Sequence, residues 1–311
     1  MSDRPVGAGA SKTQIGKNSP TGRPRSQNRD VAILLGPCVV YLVVFSIYPM
    51  FYSLKLSFTD LTAADGSGRW VRLQNYAALL IDPLFWNAAW NSTLMVVAAT
   101  TIQVVLGTAL ALFFSLELKG AWIIQGILAL PMLITPIVVG VMWRALLNPD
   151  WGLVDWAIRQ LGATPPNWLG STEMAMKTLI LVDTWQWTPF VFLIVFARLQ
   201  ALPTDAYEAA KMDGAGAFMR FWYVTLPLLA PAIAFAAIFR AVDAFRSFDL
   251  IYGLSYGGPA RSTTTLSFFA FQNGFQFQNY GYAAAAAYVM LIVLLVGSTV
   301  MLRFVKLHSS V

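Results

Sequence analysis

The sequence predicts an all-α polytopic membrane protein with six transmembrane helices. Of its 311 residues, 57% are hydrophobic and only 12% are charged, and the mean hydropathy is +0.61. A soluble domain carries about 25% charged residues, so this composition is typical of a chain that lies in lipid. In addition, six apolar runs are each long enough to cross the roughly 30 Å of hydrocarbon in a bilayer.

The six apolar runs are the predicted spans. They are approximately Val31–Tyr52, Leu94–Phe114, Trp122–Arg144, Thr178–Ala197, Leu226–Phe248 and Tyr282–Phe304. Prolines interrupt the third, fourth and fifth runs. Proline removes a backbone hydrogen bond and bends a helix, which a membrane tolerates where protein or a water-filled cavity satisfies the backbone. We therefore expect spans three to five to line a cavity.

The segments outside the spans set the predicted domain boundaries. Residues 1–30 are polar and basic and contain many Gly, Ser and Pro residues, so we predict a disordered basic tail there. A signal peptide is the alternative, but no small-x-small cleavage site closes the long apolar run that follows. The membrane domain is then residues 31–305, and residues 306–311 form a second, short tail.

Six spans place both termini on the same side of the membrane. Twelve of the 21 Lys and Arg residues fall in the tails and loops of that side, so the positive-inside rule places the N- and C-termini in the cytoplasm. The opposite loops, about residues 53–93, 145–177 and 249–281, carry six tryptophans. These fit either anchors at the membrane surface or contacts with an external partner. They are Trp70, Trp86, Trp90, Trp151, Trp156 and Trp168.

No residue pattern in the sequence indicates a catalytic, metal-binding or nucleotide-binding site. The single Cys38 and the single His308 are far apart, which excludes an intrachain disulfide and argues against a zinc site or a Cys/His catalytic pair. "GAGASKT" (Gly7–Thr13) lacks the Gly that a phosphate loop needs before its Lys. We therefore predict that the chain is not an enzyme, with no catalytic residue, no bound metal, no cofactor of its own and no nucleic-acid partner.

One loop between spans is unusually polar and regular. "EAAKMDGAGAFMRFWYVTLP" (Glu208–Pro227) occupies most of a predicted cytoplasmic loop, residues 204–227. Asp205, with Glu208 three residues later, matches a capping box and predicts that a short helix begins there. The residues that follow are good helix formers.

The same loop predicts an L-shaped element under the membrane. Gly214 or Gly216 can adopt the positive φ that ends the first helix, and a second helix, residues 217–225, then leads into span five. A small face and several polar side chains would suit docking to another protein, but an amphipathic hairpin tied only to lipid fits helix physics equally well. The candidate docking residues are Glu208, Ala209, Ala210, Asp213, Gly214 and Arg220.

Charged and aromatic side chains mark a candidate pathway on spans four and five. Arg240, Asp243 and Ser247 have the i, i+3, i+7 spacing of one helix face. A charge at membrane depth is costly and normally faces the protein interior or a cavity. Carbohydrate sites pair hydroxyl-binding polar groups with aromatic faces, and both kinds are present. The candidate pathway residues are Asp183, Gln186, Trp187, Arg240, Asp243, Arg246, Ser247 and Asp249.

Two interpretations of these charges remain open. Arg240 and Asp243 either line a pathway or form a buried ion pair that holds helices together. If they line a pathway, Asp243 and Asp249 offset Arg240 and Arg246, which favours a neutral solute over an anionic one.

The cytoplasmic loop resembles the EAA loop of binding-protein-dependent ABC transporter permeases. The matching positions are Glu208-Ala209-Ala210, Gly214 and Leu226-Pro227. Four other segments resemble the carbohydrate-uptake branch of that family, and the resemblance covers about residues 31–305. These segments are "WQWTPFVFLIVFARLQALP" (Trp185–Pro203), "FRSFDLIYGLSYGGP" (Phe245–Pro259), "TTTLSFF" (Thr263–Phe269) and "YGYAAAAAYVM" (Tyr280–Met290).

The resemblance implies that the loop is a coupling helix. In such a permease it docks in a cleft of a separate ATPase subunit, with Glu208 as its anchor and Gly214 as its bend. The implied partners are a second, similar permease, two ATP-binding subunits that hold ATP and Mg, and an extracytoplasmic solute-binding protein. The implied location is the inner membrane of a bacterial cell, where the chain would contact membrane lipid.

The resemblance also implies a solute class. A di- or oligosaccharide such as trehalose or maltose is the expected solute, and a polyol or glycerol 3-phosphate is the alternative. A self-sufficient secondary transporter is a further alternative, but it often carries internal repeats. No repeat relates residues 31–145 to residues 178–305.

Overall fold

The structure is a computed structural model that describes residues 25–64, 66–116 and 120–309. It divides into two units, Met1–Tyr52 and Ser53–Val311. The described residues of the first unit form helix α1 (Arg25–Leu42), a π-helical turn (Val43–Ile47) and the start of α2 (Tyr48–Ser57).

The regular secondary structure of the second unit's described residues is helical, with loops between the helices and two isolated β-bridges. Its helices differ widely in length, from four residues to more than thirty. They are α3 (Gln74–Ile81), α4 (Pro83–Phe114), α5 (Ala121–Leu133), α6 (Pro136–Leu146), α7 (Leu153–Gln160), α8 (Thr172–Gln200), α9 (Thr204–Met212), α10 (Ala217–Arg220), α11 (Leu226–Phe245), α12 (Asp249–Leu254), α13 (Leu266–Phe271) and α14 (Tyr280–Ser309).

The all-α, six-span prediction is confirmed, with one span broken. Among the described residues, five helical segments are long and apolar enough to cross a membrane. They are Ile33–Ser57, Pro83–Phe114, Thr172–Gln200, Ala217–Phe245 and Tyr280–Arg303. The sixth span is the pair of α5 and α6, whose axes are bent by 100°.

The third predicted span is therefore wrong as a single helix over residues 122–144. Thr135 is extended, with ψ of 138°, because the ring of Pro136 disfavours helical backbone at the residue before it. After the bend, α6 packs against α12. A Cβ built on Gly140 would lie only 2.8 Å from the backbone nitrogen of Leu254, so the two helices approach with no room for a side chain there.

Several predicted boundaries also move. Helix α4 begins at Pro83 rather than Leu94, because Asp82 caps it by accepting a hydrogen bond from the Leu84 N–H at 2.8 Å. At the N-terminus, residues 1–24 of the predicted tail lie outside the described residues, and residues 25–30 belong to α1. Helix α14 likewise extends past residue 305 to Ser309, since a helix propagates easily once nucleated.

The predicted outer loop after span five is largely folded into the protein. Leu250 and Leu254 of α12 and Phe268 of α13 are fully buried beside α6 and α8. Trp168, one of the six tryptophans in the loops predicted to be external, is not a simple surface anchor. Its indole N–H donates to Oδ1 of the buried Asp155 at 2.7 Å. Of these residues, Leu250 also lines the polar cavity described below.

Candidate functional site

A fully buried arginine lies where α4, α8 and α11 meet. The Nε of Arg240 donates to Oε1 of Gln103 at 2.9 Å, and its Nη2 donates to Oδ2 of Asp183 at 2.9 Å. Its Nη1 donates to Oδ2 of Asp243. The guanidinium carbon also lies 4.5 Å from the ring centroid of Trp187, a cation–π distance. Every guanidinium nitrogen is thus occupied within the protein.

Gln103 is the member of this network that the sequence analysis missed. Its Nε2 donates to Oδ2 of Asp183 at 2.8 Å and to the Asp183 backbone oxygen at 3.1 Å, while its oxygen accepts from Arg240. The available signal was a single amide inside an otherwise apolar stretch of span two. A polar side chain at membrane depth commonly binds a neighbouring helix.

The geometry favours the ion-pair interpretation of Arg240. The arginine forms salt bridges with Asp183 and with Asp243, and its side chain has no exposed surface. Breaking a buried pair costs about 3–5 kcal/mol because it leaves an uncompensated charge. Arg240 therefore holds two carboxylates in place and links three spans.

A polar cavity of about 300 Å³ opens beside this network. Six of the eight predicted pathway residues line it, together with residues at the starts of α6 and α12. Asp243 belongs both to the Arg240 network and to the cavity wall. One of its carboxylate oxygens binds Arg240, and the other lies 3.4 Å from Nη2 of Arg246. The lining residues are Pro136, Asp183, Trp187, Asp243, Arg246, Ser247, Phe248, Asp249 and Leu250.

Two of the predicted pathway residues do not line the cavity. Arg240 lies behind it, and Gln186 is fully buried with its Nε2 donating to the backbone oxygen of Ile134 at 2.9 Å. Gln186 thus supports the bend between α5 and α6. The expected helix face is also wrong at Ser247, because α11 ends at Phe245 and Ser247 lies in the turn before α12.

A second cavity is larger but chemically different. It measures about 720 Å³ and lies between α4, α5, α6 and α8. Its walls are Leu, Ile, Pro, Phe and Trp side chains with only two threonines, and no charged residue lines it. A surface of this kind suits hydrocarbon, so the smaller polar cavity is the better candidate for a hydroxylated solute.

The loop predicted to be cytoplasmic, residues 204–227, has the predicted two-armed form. The first arm is α9, and Gly214 follows it with a φ of +79°, so Gly214 rather than Gly216 makes the turn. The second arm is α10 followed by a π-helical turn, Phe221–Thr225, that continues into α11. The predicted capping box is wrong: α9 begins at Thr204 directly after Pro203, and no side chain caps it.

One hydrogen bond joins the two arms. The hydroxyl of Tyr207 donates to Oγ1 of Thr225 at 3.0 Å, and Thr225 is buried. Of the candidate docking residues, Ala210 turns partly towards its own chain, and Arg220 lies on the second arm. The remaining four are exposed on or beside α9. They are Glu208, Ala209, Asp213 and Gly214.

The spans, the charged cavity and the exposed loop define a multi-pass membrane transport component. The family model described as "Binding-protein-dependent transport system inner membrane component" matches residues 103–310. The chain belongs to this family, and its resemblance to ABC importer permeases is confirmed. Membership makes it an inner-membrane component of a transport system.

Named relatives match along most of the chain. The trehalose/maltose transport system permease protein MalF of Thermococcus litoralis is 33% identical over 87% of this chain and 92% of its own length. The sulfoquinovosyl glycerol transport system permease protein SmoG of Agrobacterium fabrum is 32% identical over 88% and 89%. A solved bacterial ABC transporter involved in alginate import has a TM-score of 0.79 at 21% identity, covering 90% of this chain and 96% of its own, which shows a common fold.

Proposed function

We propose that the chain is a permease subunit of an ATP-driven importer for a sugar, a di- or oligosaccharide such as trehalose or maltose. One observation carries the proposal: a polar cavity with an aromatic wall lies beside a buried ion network, in a chain whose relatives include sugar permeases. Alternating access of this cavity would pass the solute inward.

The cavity wall supplies hydroxyl-binding groups. Asp249 is exposed there, and its carboxylate would accept hydrogen bonds from solute hydroxyls. The guanidinium of Arg246 is 62% exposed and would donate. Asp243 would present its oxygen that is not bound to Arg240, and Trp187 would offer an apolar edge. Arg240 itself is saturated and would not touch the solute.

The exposed first arm of the loop would receive mechanical work. In this proposal Glu208, Ala209, Asp213 and Gly214 dock in a cleft of an ATPase subunit, which binds the ATP and Mg that this chain does not. The Tyr207–Thr225 hydrogen bond makes the arms move together. Movement of α9 would then reach α11 and, through Arg240, the cavity.

The proposal also includes the partner subunits and the orientation of the chain in the membrane. A second, similar permease and two ATP-binding subunits complete the importer, and a solute-binding protein delivers sugar on the outside. The Lys/Arg bias supports cytoplasmic N- and C-termini.

A second candidate solute is glycerol 3-phosphate. The sn-glycerol-3-phosphate transport system permease protein UgpA of Salmonella typhimurium is 30% identical over 88% of this chain. Against this candidate, three carboxylates line the cavity, and the two guanidinium groups beside them, Arg240 and Arg246, leave no excess of positive charge. Electrostatics therefore favour a neutral sugar.

Uptake by the reconstituted importer tests the proposal. The full-length chain, with the subunits that co-purify and the binding protein, is placed in proteoliposomes, and accumulation of labelled trehalose, maltose or glycerol 3-phosphate is measured. We expect sugar accumulation only with ATP on the loop side. Accumulation without ATP would identify a secondary transporter, and accumulation of glycerol 3-phosphate alone would establish the second candidate.

A further inference from the structure

The two arms of the cytoplasmic loop have opposite surface chemistry. The first arm, Thr204–Met212, carries two acidic residues and a lysine. The second arm, residues 217–225, reads "AFMRFWYVT": it contains four aromatic residues and one arginine, and no acid. A charged surface suits water or a protein partner, whereas aromatic residues with a single cation are typical of the membrane interface.

The length of the second arm places it at that interface. The helical segment Ala217–Phe245 contains 29 residues, and at 1.5 Å per residue it is about 43 Å long. The hydrocarbon of a bilayer is about 30 Å thick, and the headgroup regions extend it to about 40–45 Å. Leu226–Phe245 alone crosses the hydrocarbon, so residues 217–225 extend into the headgroup layer on the side of the loop.

The side chains of the second arm point outward. Phe218 is 76% exposed, Trp222 is 49% exposed and Tyr223 is 78% exposed. The rings of Phe218 and Trp222 pack edge to face with centroids 6.2 Å apart, so they form one continuous apolar patch. A patch of this kind in water would be an aggregation liability. At the boundary between acyl chains and headgroups, the same rings are favourable.

Arg220 adds a cation to the second arm. No carboxylate of the described residues forms a salt bridge with it, and its Nε is buried without a hydrogen-bond acceptor. Arg220 is two residues from both Phe218 and Trp222, so it projects from the opposite side of the helix from their rings. A guanidinium binds phosphate well, and anionic lipids attract arginine near the membrane surface.

We propose that the second arm is anchored in the headgroup layer of the adjacent leaflet. The rings of Phe218, Trp222 and Tyr223 lie at the acyl–headgroup boundary, and Arg220 binds a lipid phosphate. The first arm remains free for a protein partner. The lipid-held arm then acts as the pivot about which displacement of α9 tilts α11. This inference does not depend on which solute is carried or on which subunit docks.

Site-directed spin labelling tests the anchor. Because Cys38 is the single cysteine, the C38S variant gives a cysteine-free background for one label at a time. Labels on the Phe218→Cys, Trp222→Cys and Tyr223→Cys variants are compared with Asp205→Cys and Lys211→Cys on the first arm. The full-length chain, with co-purifying subunits, is placed in phosphatidylcholine nanodiscs with or without phosphatidylglycerol. Collision rates with oxygen and with a water-soluble nickel chelate are then measured.

The expected result separates the arms. Second-arm labels should collide several-fold more with oxygen relative to nickel than first-arm labels, and phosphatidylglycerol should raise that ratio unless Arg220→Gln is also present. Second-arm labels that favour nickel, or that neither reagent reaches, would overturn the proposal in favour of water or a covering protein. If a cysteine variant does not fold, the second measurement is the part of the brominated-lipid quenching that Trp222→Phe removes from the signal of the eleven tryptophans. Absence of such quenching would also overturn it.

Discussion

At the scale of single residues, Gln103 shows how one amide organises a charged site. It donates to a carboxylate on α8 and accepts from a guanidinium on α11, so it satisfies both partners at once. Neither charge needs water, and both can remain at membrane depth. The carboxylate of Asp243 is then left with one oxygen directed away from Arg240.

Gln103→Leu should destabilise the protein. It leaves the Nε of Arg240 without an acceptor and removes a donor from Asp183, and a hydrogen bond to a charged group contributes about 1.5–3 kcal/mol. Thermal unfolding in detergent should show a lower midpoint, with uptake reduced as well. Thr101→Leu, two residues before Gln103 on an exposed face of α4, is the control and should behave like the native chain. Equal midpoints for both variants would contradict this role.

Asp249→Asn should weaken solute binding without affecting folding. Asp249 is exposed on the cavity wall, and loss of one charge-assisted hydrogen bond of about 1.5–3 kcal/mol corresponds to a rise in KM of about 10- to 100-fold. Initial uptake rates at several sugar concentrations give the KM. Asp150→Asn, at an exposed outer position away from the cavity, should leave it unchanged. A native KM for Asp249→Asn would remove this residue from the site.

At the scale of elements, two short helices form a wall that the span predictions do not show as separate helices. Helix α6 follows the bend at Pro136, and α12 follows the end of span five; they cross at Gly140 and Gly253. The first residue of α6 and the first two residues of α12 line the polar cavity. The shape of the cavity therefore depends on how closely these helices approach.

Gly140→Ala should separate α6 from α12. The added Cβ would lie 2.8 Å from the nitrogen of Leu254 and 2.9 Å from the oxygen of Leu250, both backbone atoms that cannot rotate away. Overpacking of this kind costs about 1–3 kcal/mol. We expect a lower unfolding midpoint and reduced uptake. Gly126→Ala on α5, where a Cβ meets nothing within 4 Å, should be neutral or slightly stabilising, and similar results for both would refute the close crossing.

At the scale of the whole second unit, α11 connects the two functional regions. Its N-terminal end continues from the cytoplasmic loop, and Arg240 and Asp243 lie near its C-terminal end. The helix is about 30 Å long, the thickness of the hydrocarbon. A displacement of the loop can therefore reach the cavity through one rigid element, without a relay through other helices.

Glu208→Lys should uncouple this connection. Glu208 is exposed on the first arm, so reversing its charge should leave folding intact. The reversed charge should weaken docking to a partner surface that is complementary to a negative charge. We expect ATP-driven uptake and the yield of co-purified ATPase subunit to fall about tenfold, a change of about 1.4 kcal/mol. Asp150→Lys on the outer side is the matched control. Native uptake and complex yield in Glu208→Lys would argue against the coupling role.

The sequence by itself determined the number of spans, the two-armed loop and the charged residues beside spans four and five. These depend on local properties: the length of apolar runs, the positive φ that glycine permits, and the rarity of charge in lipid. Only the tertiary structure decided which of those charges share a cavity. Gln103 and Asp183 are 80 positions apart, and the bend before α6 is held by Gln186 on another helix. Such contacts depend on how helices pack, which no local pattern specifies.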